Sequence, residues 1–287
     1  MLDIMKNGEN AMRAFETSLR IGTANMGNMS TVGYKSLKYS FKTIFNKVLD
    51  TGSAGTTDRG GTNPHQEGSS VALANISVDF SQGEIGSGGQ LDLALKGNGM
   101  FVVSPDNGKT FLYSRAGNFK LNSSGNLLDN SGRKVYGFKY LGNGQFDTAN
   151  LQEITMLNPT NAGWQYQGNR GILVEDYAAS QQDPANVDKA RPAYQVAVTD
   201  FPNRGALIQY DGTTYKATPA AGIPFNPGAP NDAGRAEAVS QSVEKSNVFF
   251  IGETVDAMEV QRAMSASLTA VKIASQQIQN IIQQLGA

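Results

Sequence analysis

Apolar residues return every seventh position from Met5 through Met12 and Leu19 to Met26, with Met1, Phe15 and Met29 on the adjoining seam. A stripe with this period predicts a helix whose apolar side faces another helix. The polar side carries Glu9 with Arg13 and Glu16 with Arg20, acid first and four apart, which is the order that best supports an isolated helix. Gly33 is the predicted end signal, since glycine accepts the left-handed conformation that closes helices. The far end of the chain repeats the design. Ala257, Met264, Val271, Ile278 and Leu285 lie seven apart, Val260, Ala274 and Ile281 take the complementary position, and Leu268 and Ile282 stand beside them. Ser246 and Asn247 are candidate caps, Glu253 and Asp256 sit where the helix dipole favours negative charge, and Gly286 follows the last apolar residue. Such a helix from Ile251 to Leu285 is about 50 Å long. One stripe of this kind fits core packing within a single domain; two, confined to opposite ends of the chain, predict a terminal helical pair.

Between the ends the pattern changes to short β-type runs cut by glycine and asparagine. Val71 to Phe80 and Leu91 to Val103 read as strands, the second interrupted by Gly97 and Gly99. Phe119 to Leu121, the turn Asn122-Ser123-Ser124-Gly125, Leu127 with Leu128, and the turn Asp129-Asn130-Ser131-Gly132 before Val135 predict consecutive hairpins. The expected architecture is therefore α+β, with long terminal helices forming a coiled-coil-like inner domain and a central, mainly antiparallel β domain. Its boundaries are residues 1–40 for the first helix, 41–70 for a connecting stretch, 71–217 for the β domain, 218–245 for a second connector and 246–287 for the last helix. The connectors are read from glycine, serine and threonine in Asp50 to Gly68 and from proline, glycine and alanine in Thr218 to Gly234.

Lys plus Arg number 24 against 25 Asp plus Glu, so no net field steers the chain to nucleic acid or an anionic bilayer. The aromatic and basic cluster Tyr34, Lys35, Lys38, Tyr39, Phe41 and Lys42 is accordingly read as packing at the exit of the first helix, not as a stacking platform. No run of eighteen apolar residues occurs, which predicts no direct membrane insertion, and the opening MLDIMKNG lacks the layout of a cleaved secretory signal. Cys is absent, so disulfides and thiolate-ligated metals are excluded.

Candidate chemistry is sparse. His65 is the only histidine, in the turn-forming context Gly60-Gly61-Thr62-Asn63-Pro64-His65, and one histidine rules out a multi-histidine metal site. Gly97-Asn98-Gly99 lacks the third glycine and following helix of a dinucleotide loop. Asp92, Asp106, Asp129 and Asp211 are scattered, and Asp129 to Gly132 lacks the spaced ligands of a calcium loop. No catalytic residue, metal ligand or cofactor is expected.

Four ordered blocks carry a resemblance. Asn28, Thr31, Gly33, Tyr34 and Lys35 fit an N-x-N-T-x-G-[FY]-K signature, with Ser30 in place of its second asparagine. Leu91 to Val103 resembles an L-D-[LV]-A-I-x-G-x-G-F-F-x-V block, and Tyr113 to Phe119 resembles Y-[TS]-R-x-G-x-F. Ser246-Asn247-Val248, Glu253 and Gln261-Arg262-Ala263 match the start of a C-terminal helix. Together they are similar to the flagellar rod and hook family. Met264 stands where that family often has an aromatic, Ser275 replaces a frequent aspartate, and Leu151 to Gly234 carries no matching block.

The resemblance implies a non-enzymatic structural subunit that self-associates into a helical tube, transmits torque and forms the export channel. It implies neighbouring rod and hook proteins and the flagellar export apparatus as partners, and a basal-body location crossing the periplasm, reached without a cleaved signal. The assembly residues marked by the seven-residue stripes and by these blocks together are Met5, Met12, Leu19, Met26, Asn28, Gly33, Tyr34, Asn247, Arg262, Met264, Val271, Ile278 and Leu285. The length favours a rod protein, distal or proximal; a short hook protein and, from a different class, a β-rich glycan-binding or hydrolysing protein are the alternatives.

Overall fold

A computed structural model describes residues 2–43, 46–55, 59–63, 65–68, 71–156, 163–175, 192–232 and 234–285. Met1, Pro64 and Gly286, named above, lie outside this set. The chain divides into two compact units, one of residues 1–27, 37–77 and 249–287 and one of residues 28–36 and 78–248.

The first unit is built on two helices, α1 (Leu2–Gly27) and α2 (Phe250–Leu285). They pack antiparallel. Asn25, near the end of α1, reaches Glu253 in the first turn of α2 (Nδ2 to Oε1, 3.1 Å), while Gly8 near the start of α1 lies against Val271. A Cβ added at Gly8 would come within 2.2 Å of a Val271 methyl, so glycine there sets how closely the two backbones approach. On α2 the buried line is Glu253, Val260 and Ala274, flanked by half-buried Ala257, Met264, Val271 and Ile278. From Ala257 to Ile278 the periodic positions thus lie on the side of the partner helix, whereas Leu285 is exposed. On α1 the deepest residues are Ala14, Ser18, Ile21 and Asn25, a line of mostly small and polar side chains, and Met5, Met12, Leu19 and Met26 are half-buried beside it. This line differs from the seven-residue stripe of large apolar residues that the sequence predicts for α1. Small side chains let the helices come together, and the methionines then cover the flanks.

Helix α1 ends at Gly27, six residues before the predicted stop at Gly33. Two strand pairs accompany the helices in this unit: Leu37–Thr43 with Val71–Val78, and Asn46–Asp50 antiparallel to His65–Gly68. Strands therefore occur inside the span read as a connector, where β-branched and aromatic residues are too sparse for the usual strand signature.

The second unit is mainly antiparallel β. Its largest sheet has thirteen strands among the described residues, with a main path through Gln165–Gln167, Ile172–Val174, Pro192–Val196, Lys134–Gly142, Met100–Ser104, Leu112–Ser114, Thr214–Lys216 and Ile208–Asp211. The predicted hairpins are present. Lys120–Leu121 pairs with Leu127–Leu128, which pairs with Lys134–Gly142 across the second turn. Phe101, Leu112, Phe119, Leu127, Ile154 and Trp164 share one core, closed by an edge-to-face contact of Phe101 on Phe119. The span read as the second connector contributes to it. Glu237–Ser240 pairs with Leu93–Lys96 and Ser242–Glu244 with Ile85–Ser87, and Ala236 and Ala238 are core residues. An alanine alternation carries little hydrophobic contrast, so this strand resembles a loop in sequence.

Candidate assembly elements and a buried charge network

The signature residues after α1 are fixed by hydrogen bonds rather than by helix capping. Gly33 adopts φ +71° and donates its N–H to the Glu244 carbonyl at 2.7 Å. A Cβ on Gly33 would lie 2.4 Å from the Ala116 nitrogen, so both the left-handed backbone and the close approach require glycine. Gly33→Ala is expected to destabilise the β unit by more than about 1 kcal/mol, seen as a Tm at least ~2–4 °C lower. An unchanged melting curve would show that the loop relaxes freely. Tyr34 is buried beside it, with its carbonyl accepting from the Asn247 N–H at 3.4 Å.

Asn247 does not cap α2, which starts three residues later. Its side chain ties two segments instead: Oδ1 accepts from the Ser36 N–H at 2.7 Å, and Nδ2 donates to the Asp79 carbonyl at 2.8 Å and to Ser81 Oγ at 3.0 Å. An amide supplies the one acceptor and paired donors that this junction of unpaired backbone groups needs.

Next to it lies a network that the sequence reading did not identify. Glu244 is fully buried between two cations: Oε1 accepts from Lys35 Nζ at 2.5 Å and Oε2 from Arg115 Nε at 2.9 Å. Gly83 adds its N–H to Oε1 at 2.8 Å, and Lys35 also reaches the Ser81 carbonyl at 2.6 Å. Arg115 spends its other donors on the Gly97 and Gly99 carbonyls (2.9 and 2.6 Å) and on Gln82 Oε1 at 3.0 Å. Burial pushes the Lys35 ammonium below its ordinary value, opposed by the attraction of Glu244. The bends at Gly97 and Gly99, both with positive φ, aim those carbonyls at the guanidinium. Lys35, Gly97, Gly99 and Arg115 belong to three of the sequence blocks described above, so the blocks converge on one interior site. Its chemistry is structural, because every charged atom is matched within the protein.

The remaining predicted positions spread along the helices. Met5, Met12, Leu19, Met26, Met264, Val271 and Ile278 are half-buried, Asn28 is half-buried after α1, and Arg262 and Leu285 are exposed. His65 is exposed in its strand. Among the described residues no three His, Asp or Glu side chains are grouped as a metal ion requires, and no helix is long and apolar enough to cross a membrane.

Comparison with known proteins agrees with the convergence of the blocks. The family described as flagellar hook protein FlgE/F/G D1 domain matches residues 94–173, which include the twin bends, Arg115 and the hairpins. The flagellar basal-body rod protein FlgG of Bacillus subtilis is 27% identical over 284 residues, covering 98% of each chain. FlgG of Agrobacterium fabrum is 26% identical over 270 residues, covering 92% of each. The flagellar hook protein FlgE of Helicobacter pylori strain J99 is 34% identical over 215 residues, but these are 74% of this chain and 30% of the hook protein. Its sequence blocks thus gather around one buried network, and the chain is similar to flagellar rod proteins along nearly its whole length and to flagellar hook proteins over part of it.

Proposed function

We propose that the chain is a structural subunit of the flagellar rod that acts by self-association and has no catalytic role. The observation that carries this is coverage. The match to rod protein FlgG runs along 98% of both chains, whereas the hook proteins are about three times longer than the region they share. The antiparallel α1 and α2 serve as a coiled-coil-like inner element, supported by the half-buried seven-residue line from Ala257 to Ile278 and by the Gly8 contact with Val271. The β unit serves as the outer part. Tube building brings neighbouring rod and hook proteins as partners and requires export by the flagellar apparatus to a site crossing the periplasm. The near balance of charge and the uncharged stretch from Ile273 to Leu285 fit a packed helical tube that does not hold a passing chain electrostatically.

The test is deletion of the gene followed by electron microscopy of basal bodies. The axis is expected to stop within the rod, with no hook. A complete rod lacking only its hook would assign the chain to the hook instead, and cleavage of peptidoglycan fragments by the purified protein would overturn the structural reading. Replacement of exposed His65 by Ala is expected to leave swimming speed unchanged; loss of swimming would point to chemistry at the only histidine.

A further inference from the structure

In the β unit, the segment from Gly222 to Pro230 has little regular structure, yet it is laced to the sheet residues Val198 and Thr199 and to Asp200 after them. Val198 and Gly228 exchange N–H to carbonyl bonds at 2.9 Å, Phe225 donates its N–H to the Asp200 carbonyl at 2.9 Å, and Thr199 Oγ1 donates to the Phe225 carbonyl at 2.5 Å. Phe225 is nonetheless 53% exposed. An apolar ring held toward water by a fixed backbone loses little freedom when something covers it. The ring lines a cavity of about 270 Å³ together with Asn98, Asp200, Gly234 and Arg235. That volume lies just under the range of drug-sized ligands, so it takes a single ring.

The polar groups of the cavity are set in advance. Arg204 clamps Asp200 through Nε to Oδ1 at 2.7 Å and Nη2 to Oδ2 at 3.0 Å, and gives Nη1 to Asn98 Oδ1 at 2.8 Å. This orients the Asn98 amide and leaves its Nδ2 as a donor. Arg235 donates Nη2 to the Asn226 carbonyl at 2.9 Å and Nη1 to the Asp232 carbonyl at 3.3 Å. Its guanidinium lies on Gly228, where a Cβ would come within 2.4 Å of Cζ. Asp200 and Arg204 cancel in charge, whereas Arg235 has no carboxylate partner among the described residues. The cavity therefore sets one uncompensated positive charge beside an exposed ring.

We propose that this cavity binds a sugar acid, one carboxylate-bearing pyranose unit of a glycan. The carboxylate pairs with the N–H groups that Arg235 has left, a charge-assisted contact. The C–H face of the sugar ring covers Phe225 and removes apolar surface from water. Asn98 Nδ2 donates to a ring substituent, and the spare lone pairs of Asp200 accept from a hydroxyl. A neutral sugar leaves the charge of Arg235 unmatched, and a plain aliphatic acid leaves Asn98 and Asp200 unmatched; a sugar acid meets all of them. Asp200 is the one carboxylate among the lining residues and is already clamped, whereas glycoside hydrolysis uses two, so the site binds without cleaving. The inference goes beyond self-association and does not depend on it, since the cavity is built within the β unit of one copy.

The purified full-length chain is to be titrated with N-acetylmuramic acid, glucuronic acid and N-acetylglucosamine and followed by ligand-observed NMR. The first and last share a ring and an acetamido group and differ by the lactyl carboxylate, so N-acetylmuramic acid is expected to bind at least about tenfold more tightly, the worth of one charge-assisted contact. Glucuronic acid, with its carboxylate on the ring itself, tells which of the two kinds of sugar acid the cavity prefers. Added salt is expected to weaken both acids and to leave N-acetylglucosamine unchanged. Arg235→Gln should abolish the preference for the acids together with the salt effect. Phe225→Ala should weaken all three sugars and, because the ring is exposed, keep the native melting curve; it decides the matter even if Arg235→Gln melts early. Equal binding of N-acetylglucosamine and N-acetylmuramic acid would overturn the inference, as would no binding of either acid or native binding by both variants. Tighter binding of acetyl-alanyl-alanine than of both sugar acids would also overturn it, in favour of a peptide carboxylate.

Discussion

Replacing Glu244 by Ala is expected to lower the Tm of the β unit by roughly 6–20 °C, corresponding to about 3–5 kcal/mol at ~2–4 °C per kcal/mol. The carboxylate is the common partner of Lys35 and Arg115, and both cations lie almost wholly out of water. Truncation leaves two buried positive charges facing each other and the Gly83 N–H without its acceptor. Lys35→Met removes a single cation and keeps the Glu244–Arg115 pair, so its effect is expected to be clearly smaller. The pH dependence gives an independent reading. With Glu244 gone, only the weaker attraction of Asp79 opposes the burial that already pushes Lys35 down, so the folded state releases this proton more readily than the unfolded chain. The unfolded state then binds more protons, and the stability of Glu244→Ala is expected to rise with pH in the range below the ordinary lysine value. Calorimetry across that range checks both statements. A Lys35→Met variant less stable than Glu244→Ala would sink the account of Glu244 as the centre of the network.

The parts of the fold that follow a strong local rule were legible in the sequence. Seven-residue spacing on α2 marked the face that packs on α1, and the Asn-Ser-Ser-Gly and Asp-Asn-Ser-Gly turns marked the hairpins from Phe119 to Val135, because these signals act within a few residues. What stayed hidden depends on distant partners. Asn247 resembles a cap in sequence, yet Ser36, Asp79 and Ser81 recruit its amide from far along the chain. Gly33 has the left-handed backbone expected of it, but closes on Glu244 and Ala116 instead of ending the helix. Lys35 and Arg115 stood inside recognised blocks and Glu244 two residues before one. As single charged residues they carry no sign that they are buried, and only the convergence of the blocks pairs them. On α1 the buried Ala14, Ser18 and Asn25 escaped a search for large apolar side chains, since close helix packing selects for small ones.

Replacing Val271 by Asp is expected to abolish tube assembly and swimming while leaving the melting transition of the β unit within about 1–2 °C, since substitutions remote from a unit's core contribute within ~0.5 kcal/mol. Val271 is half-buried against Gly8 of α1, so the new carboxylate would be pressed against helix backbone. Desolvating it costs on the order of 2 kcal/mol or more unless the helices separate, and helices of this kind owe most of their stability to the packed face. Separation removes the paired inner element on which assembly depends. Ile278→Asp, one heptad on along the same face, is expected to act in the same direction. Gln279→Asp supplies the control, because it adds the same charge to the same helix at an exposed, polar position and is expected to swim. The experiment is replacement of the native gene by each variant, with swimming speed, basal-body images and the melting curve of the purified chain measured together. If Val271→Asp swims normally, or if Gln279→Asp fails as completely, the packed seam is not what holds the tube together.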